Sequence, residues 1–189
     1  AVITAGTNTT TVTVDVLGDL IVELDETFTV DLSAALFNGA ADATRVVISD
    51  GSGLGTLIND DMAALSIDDV SLAEGNTGVT SFTFTISSDL QSSKDLGVMV
   101  QALDLGDVIG GADLNEITGQ LASIAAGTNS TTVTVEVIGD QLVELDELFS
   151  VDLSDARFNN QSDATRVSLA DDTGLGTILN DDMALVTID

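Results

Sequence analysis

Residues 131–154 read TTVTVEVIGDQLVELDELFSVDLS, and this stretch decides the fold. At its start Val133, Val135 and Val137 alternate with Thr134 and Glu136; at its end Phe149, Val151 and Leu153 alternate with Ser150 and Asp152. Such period-two patterning marks strands with one buried and one wetted face. Between the two runs lies GDQLVELDE. On a helix Asp140, Glu144 and Glu147 would share one face at i, i+4 and i+7 and form an acidic stripe. Strongly alternating strands flank the segment too closely for that, so it reads as a loop at one tip of a sheet.

The same alternation continues outward. SFTFTIS places Phe82, Phe84 and Ile86 on one face, and LGVMVQA does so with Val98, Val100 and Ala102. About seven such segments over roughly 120 residues, parted by Gly, Asn, Asp and Ser turns, predict an all-β Greek-key sandwich. No segment sustains a helical period.

The chain also repeats itself. Residues 3–68 align without a gap onto 124–189, an offset of 121, and about two-thirds of the pairs are identical. GDLIVELDETF (Gly18–Phe28) matches GDQLVELDELF (Gly139–Phe149), DATRV recurs, and GLGTLINDDMA matches GLGTILNDDMA. The period suits a complete small domain. Its phase predicts the C-terminal half of one module in 1–61, a complete module in 62–182 and the first strand of the next in 183–189. The chain is therefore read as a window on a longer covalent array. Were 1 and 189 true chain ends, another polypeptide would have to complete residues 1–61, giving a strand-complemented polymer. A half-sandwich lacks the sheet that would cover its apolar face.

Composition narrows the chemistry. Thirty-two acidic residues against four basic ones give a net charge of −28, which repels nucleic acid and anionic membranes and attracts cations. No Cys and no His are present, so thiolate sites, imidazole ligands and a Ser-His-Asp triad are excluded. No apolar run approaches the roughly 20 residues of a membrane helix. The remaining ligands are carboxylates, carbonyls and hydroxyls, those of hard cations.

Three carboxylates confined to one loop repel one another. At ~5 Å and an effective dielectric of ~20, each pair costs about 3 kcal/mol. The four basic residues are too few to offset this, and a bound calcium ion, taking about 6–8 oxygen ligands in flexible geometry, does so most economically. Counting strand reversals brings AEGN (Glu74), GGADL (Asp113) and LNDD (Asp181, Asp182) to the same tip. An EF-hand does not fit: from Asp104 the third, fifth and twelfth positions are Gly106, Val108 and Asn115.

VSLAEGN, GGADL, VIGDQLVELDELFSVDLS and GTILNDD together resemble a Calx-beta domain, the module of sodium/calcium exchangers and many microbial surface proteins. The resemblance implies an immunoglobulin-like sandwich with Ca2+ held by acidic loops at one tip, beside the neighbouring domain. Carried over by position, it implies as metal ligands Glu74, Asp113, Asp140, Glu144, Glu147, Asp181 and Asp182, and in the half-module Asp19, Glu23, Glu26, Asp60 and Asp61. Two departures from the family pattern stand out. Gly139 and Gly18 fall where the family often has Asp, and Asn180 and Asn59 replace a third terminal Asp. Asn still offers a carbonyl and Gly offers nothing, so fewer ions or weaker binding are expected.

The expected role is a calcium-binding structural repeat of an extracellular or cell-surface protein, with adjacent Calx-beta modules, or neighbouring chains, as partners. Adhesion, matrix or filament formation would follow, without nucleic acid or membrane insertion. The rival readings are a calcium-sensing module of a larger transporter or enzyme and an acidic halophile surface without specific calcium. A calcium-bridged sugar site is disfavoured by the lack of Trp and Tyr. No catalytic constellation is legible, and an enzyme is not expected. Arg45 and Arg166, equivalent in the two copies, read as surface ion pairs, with inter-module salt bridging as the alternative, and the TGLGT glycines as a bulge or twist in the last strand.

Overall fold

The computed structural model describes residues 1–105 and 114–188. All regular structure there is strand. Residues 1–61 contribute β1 (Ile21–Val22), β2 (Glu26–Asp31), β3 (Leu36–Phe37), β4 (Ala40–Ala41) and β5 (Ser52–Leu57). The rest supply β6 (Ala63–Ile67), β7 (Val70–Ala73), β8 (Gly78–Ser88), β9 (Gln91–Ser92), β10 (Leu96–Asp104) and β11 (Ile117–Ile124). After them come β12 (Ser130–Gly139), β13 (Glu147–Phe158), β14 (Gln161–Ser162), β15 (Val167–Leu169) and β16 (Thr173–Leu179).

Two sheets face each other. One runs β11-β10-β13-β16-β7 with β14 on β13, the other β12-β8-β6-β15. The alternating apolar positions named above meet between them: Phe82, Phe84, Ile86, Val98, Val133 and Val135 are all buried. At the centre the Phe149 ring stands edge-on to Phe82 and Phe84, with centroids 5.5 and 5.8 Å away, the geometry favoured by the aromatic quadrupole.

The segment from β6 to β7 serves both sheets. β6 pairs with β8, whereas β7 pairs in parallel with β16. The crossing falls at Asp68–Asp69, and each carboxylate is fastened to one sheet. Asp68 Oδ1 accepts the Thr85 N–H at 2.6 Å, and Asp69 Oδ1 accepts that of Leu175 at 2.7 Å. Here the glycines of TGLGT differ from expectation. The β13–β16 register runs unshifted from Glu147↔Ile178 to Asp152↔Thr173, without a bulge. Instead they permit close approach: a Cβ on Gly174 would lie 2.6 Å from the Asp68 carbonyl, and one on Gly176 2.1 Å from the Phe149 ring.

Residues 1–61 form two hairpins, β2–β5 and β3–β4. TVTVDV at 11–16 carries the alternation of TVTVEV at 132–137, yet it forms no strand, and Val12, Val14 and Val16 are exposed. Its counterpart β12 lies along β8 over ten residue pairs. β1 pairs in parallel with β9, outside residues 1–61.

Arg166 also departs from the surface-pair reading. It bridges Asp163 locally at 3.0 Å, and it reaches the preceding copy, donating to the Glu23 carbonyl at 2.8 Å and to Asp25 at 3.1 Å.

Candidate metal centre

The site lies where β12 ends, β7 hands over to β8, and β16 leaves the sandwich. Gly139, the last residue of β12, pairs with Gly78, the first of β8. A Cβ on Gly139 would stand 2.0 Å from the Gly75 carbonyl oxygen and 2.8 Å from that of Glu74. The missing side chain thus lets the Glu74–Gly75 turn lie directly on the strand end. Gly75 itself sits at φ +84°, left-handed space open to glycine. The Thr80 hydroxyl donates to the Glu74 carbonyl and fixes the turn.

Two further bonds tie that turn to the exit. The Gly75 N–H donates to Asp181 Oδ1 at 3.3 Å, and the Asn76 amide donates to Asp182 Oδ1. On the third side, Asp140 Oδ1 accepts the Leu142 N–H at 2.6 Å, an Asx turn that starts the acidic loop. Asn180 joins loop and exit. Its Oδ1 accepts the Glu144 N–H at 3.1 Å, its Nδ2 donates to the Asp182 carbonyl at 3.0 Å, and its own N–H donates to Asp146 Oδ1 at 3.2 Å.

This wiring brings one carboxylate oxygen each of Glu74, Asp140 and Asp182 within 4.8 Å of one another. Glu74 is 3% exposed and Asp182 9%. Asp182 Oδ2 is buried with no hydrogen-bond partner. Asp140 and Asp182 enter none of the ion pairs among the described residues. An unpartnered buried carboxylate oxygen is costly, and beside two further carboxylates the cost grows as 332/(εr), about 3 kcal/mol per pair at an effective dielectric of ~20. A hard cation relieves both costs together, and the donor set, all oxygen, fits calcium.

The other candidates fall around this nucleus. Glu144 and Glu147 are half-buried on the same loop and strand start, outside the 4.8 Å group. Asp181 is exposed and outside the 4.8 Å group, with its Oδ1 accepting the Gly75 N–H. Asp113 lies outside the described residues. In the first copy Asp19, Glu23, Glu26, Asp60 and Asp61 line one open cleft of about 520 Å³. Among the described residues they are not gathered as closely as the Glu74 group. Residues 1–189 contain no counterpart of Glu74 for that copy.

Four of the positioning bonds nevertheless recur there. Asp19 Oδ1 accepts the Ile21 N–H at 2.9 Å, Asn59 Oδ1 the Glu23 N–H at 2.8 Å, and Asp25 Oδ1 the Asn59 N–H at 3.2 Å; Asn59 Nδ2 donates to the Asp61 carbonyl at 2.8 Å. Sequence reasoning had treated Asn180 and Asn59 as spare carbonyl ligands and passed over Asp146, Asp25 and Asn76. Their recurrence in both copies was the available signal for Asn180 and Asp146. Asn76, inside a single copy of AEGN, offered none.

Asp163 is held below the usual carboxylate range, first by the Thr165 hydroxyl and then by Arg166, and Asp42 likewise by Thr44 and Arg45. The same DATRV motif does this in both copies.

A family model, described as the Calx-beta domain, matches residues 3–52 and 56–182. Among solved structures the chain is similar to the apo-form Calx CBD1 domain (22% identity, TM-score 0.50, covering 65% of this chain and all of that one). It is also similar to CBD12 from CALX1.2 (21%, TM-score 0.51, 63% of this chain and 46% of that one). The calcium binding domain CBD12 of CALX1.1 is similar too (21%, TM-score 0.50, 62% and 46%). The chain thus spans less than half the length of either CBD12 chain, and at these identities the likeness shows the sandwich fold.

Proposed function

The chain belongs to the Calx-beta family, and from that premise we propose that its modules bind calcium where Glu74, Asp140 and Asp182 meet. The observation that carries this is the buried Asp182 Oδ2, unpartnered among carboxylates. These three residues supply the inner ligands. Glu144 and Glu147, on the same loop, are placed to complete the 6–8 oxygens calcium takes, with water or backbone carbonyls. Asp181 Oδ1 holds the Gly75 turn and its second oxygen is a further candidate ligand, while Asn180 fixes the loop relative to the exit. The likeness to a solved chain named as a calcium binding domain agrees with this ion.

The role we assign is structural. Asp182 is followed at once by MALVTI, which matches the first strand of the complete module, and only Ile58–Met62 separate β5 from β6. An ion that ties the exit to the acidic loop therefore also restrains the direction in which the next module leaves. Neutralising the cluster stiffens the junction, and repetition of that junction gives an extended, rigid extracellular or cell-surface array suited to adhesion, matrix or filament formation. Nothing in the cluster is arranged for catalysis.

Thermal unfolding of the chain at fixed ionic strength, in millimolar calcium and in chelator, tests the proposal. Calcium should raise the midpoint, and Asp140→Ala should remove the rise. Equal midpoints in both conditions would leave an acidic surface without a specific ion.

A further inference from the structure

Val22 lies in an acidic loop whose neighbours Leu20 and Leu24 are exposed, yet it is 0% exposed and belongs to the hydrophobic core of the complete module. It is not held by its own copy. β1 pairs in parallel with β9, Ile21 beside Gln91 and Val22 beside Ser92. The Val22 carbonyl accepts the Ser93 N–H at 3.0 Å and the Ser92 hydroxyl at 3.1 Å. The next carbonyl, Glu23, accepts Arg166 Nε at 2.8 Å, and the same guanidinium reaches Asp25 at 3.1 Å. Arg166 is aimed by its own copy, through Asp163 and the face of Phe158 at 5.6 Å. The contact is thus a knob seated in a socket.

The offset of 121 maps Ile21–Asp25 onto Leu142–Asp146, with Val22 falling on Val143. Val143 is 55% exposed, and Leu142 and Leu145 are exposed beside it. The loop is already in the docked shape, since the bonds that fix the first copy recur: Asp140 to Leu142, Asn180 to Glu144, and Asp146 to Asn180. Three exposed apolar side chains on a preorganised acidic loop are what an unseated knob looks like. The matching half-socket is present as well. Arg45, the equivalent of Arg166, is aimed in the same way by Asp42 and by Phe37 at 5.7 Å, and its side chain is largely exposed.

We infer that Leu142–Asp146 is a docking surface for a following copy of this module, with Val143 entering the socket formed by that copy's counterparts of Gln91–Lys94 and Arg166. The occupant is fixed by continuity with the interface already formed inside the chain. Met183–Ile188 carry the sequence of the strand that opens such a copy, and they start at the exit beside this loop. Knob and socket are different segments of one module, so the contact is head-to-tail rather than self-complementary. The inference shares the tandem organisation of the proposed function but needs no ion.

Amide hydrogen exchange tests it, in the 1–189 chain and in the same chain lengthened by a further copy of residues 69–182 after Asp189. In the 1–189 chain Val22→Asp should speed exchange at Ser93 by at least about tenfold, while the amides of Phe84 and Val135 keep their protection and so report an intact sandwich. Val143→Asp should leave the 1–189 chain unchanged. In the lengthened chain it should produce the same gain at the added copy's counterpart of Ser93, in chelator as well as in calcium. Unchanged exchange at Ser93 in Val22→Asp would overturn the inference. So would a Val143→Asp effect that is absent from the lengthened chain or equal in both chains. A chain that shows the clip but no calcium-dependent melting refutes only the calcium proposal, and one that binds calcium without the clip refutes only this inference.

Discussion

Replacing Asp182 by Asn separates the two costs that the acidic tip imposes. Asn keeps the Oδ1 that accepts from Asn76 and changes the orphan Oδ2 into an N–H2 that can donate to a neighbouring carboxylate. It also removes one charge from the group lying within 4.8 Å. Asp182 takes part in two of the three repulsions, each about 3 kcal/mol at an effective dielectric of ~20. Asp140 is only half-buried, so solvent screens a large part, and a relief of about 2 kcal/mol is a fair expectation. For a cooperative unit of ~120 residues, with unfolding entropy near 2.1 cal/mol/K per residue, each kcal/mol shifts Tm by about 4 °C. In chelator Asp182→Asn should therefore melt about 8 °C higher than the parent. Calcium at about 100 times Kd contributes about 2.7 kcal/mol to the parent, or about 10 °C, and the variant should lose most of that increment. Calorimetry at constant ionic strength measures both. A variant that melts lower in chelator would refute the crowding argument, and an undiminished calcium increment would refute the role of Asp182 as a ligand.

Other consequences follow from the same geometry. Gly139→Ala should cost about 1–3 kcal/mol in chemical denaturation, since its Cβ meets the Gly75 carbonyl, whereas Gly18→Ala, with nothing within 4 Å, should be neutral or stabilising by less than about 1 kcal/mol. Phe149→Ala removes the ring that both Phe82 and Phe84 contact and should cost about 3–5 kcal/mol. Asn180→Asp keeps the acceptor for Glu144 but loses the donor to the Asp182 carbonyl, so it should lower stability in chelator by about 1–2 kcal/mol. Asp163 should titrate, by NMR, below the ordinary Asp value of about 3.9, and Thr165→Val should move it back up. Because its folded value is depressed, the stability it adds is full above the unfolded value and is lost as pH falls through the folded one, below about pH 4.

The fold was legible where burial follows local period. Val133, Val135 and Val137 point inward because β12 has β8 beside it and a second sheet above, and the alternating letters already say so. Much of the site was legible too, because carboxylates must stand in turns and the exit repeats as NDD. What was not legible was the structural role of a missing side chain. At Gly139 the absent Cβ admits the turn that delivers Glu74, a contact between segments more than sixty residues apart that no local spacing encodes. The positioning role of Asn180 was hidden for a similar reason. Its amide looked like a weakened ligand, but it uses both ends of its dipole to set the backbone from which Asp182 and Glu144 project.

Val22 and Val143 show where sequence reading stops for a repeat. They are the same residue in the same motif, with the same intra-copy positioning bonds around them, yet one is 0% and the other 55% exposed. No property of the residue or its neighbours in sequence separates them, and only the docked module does. TVTVDV at 11–16 makes the point from the other side, for its valines alternate as well as those of β12 but remain in solvent without a strand alongside. Burial in this chain is therefore a property of junctions as much as of modules. Asp140, a ligand in the proposed calcium site, and Val143, the proposed docking residue, are three residues apart on one loop, so on this reading whatever orders that loop for the ion also presets the docking surface.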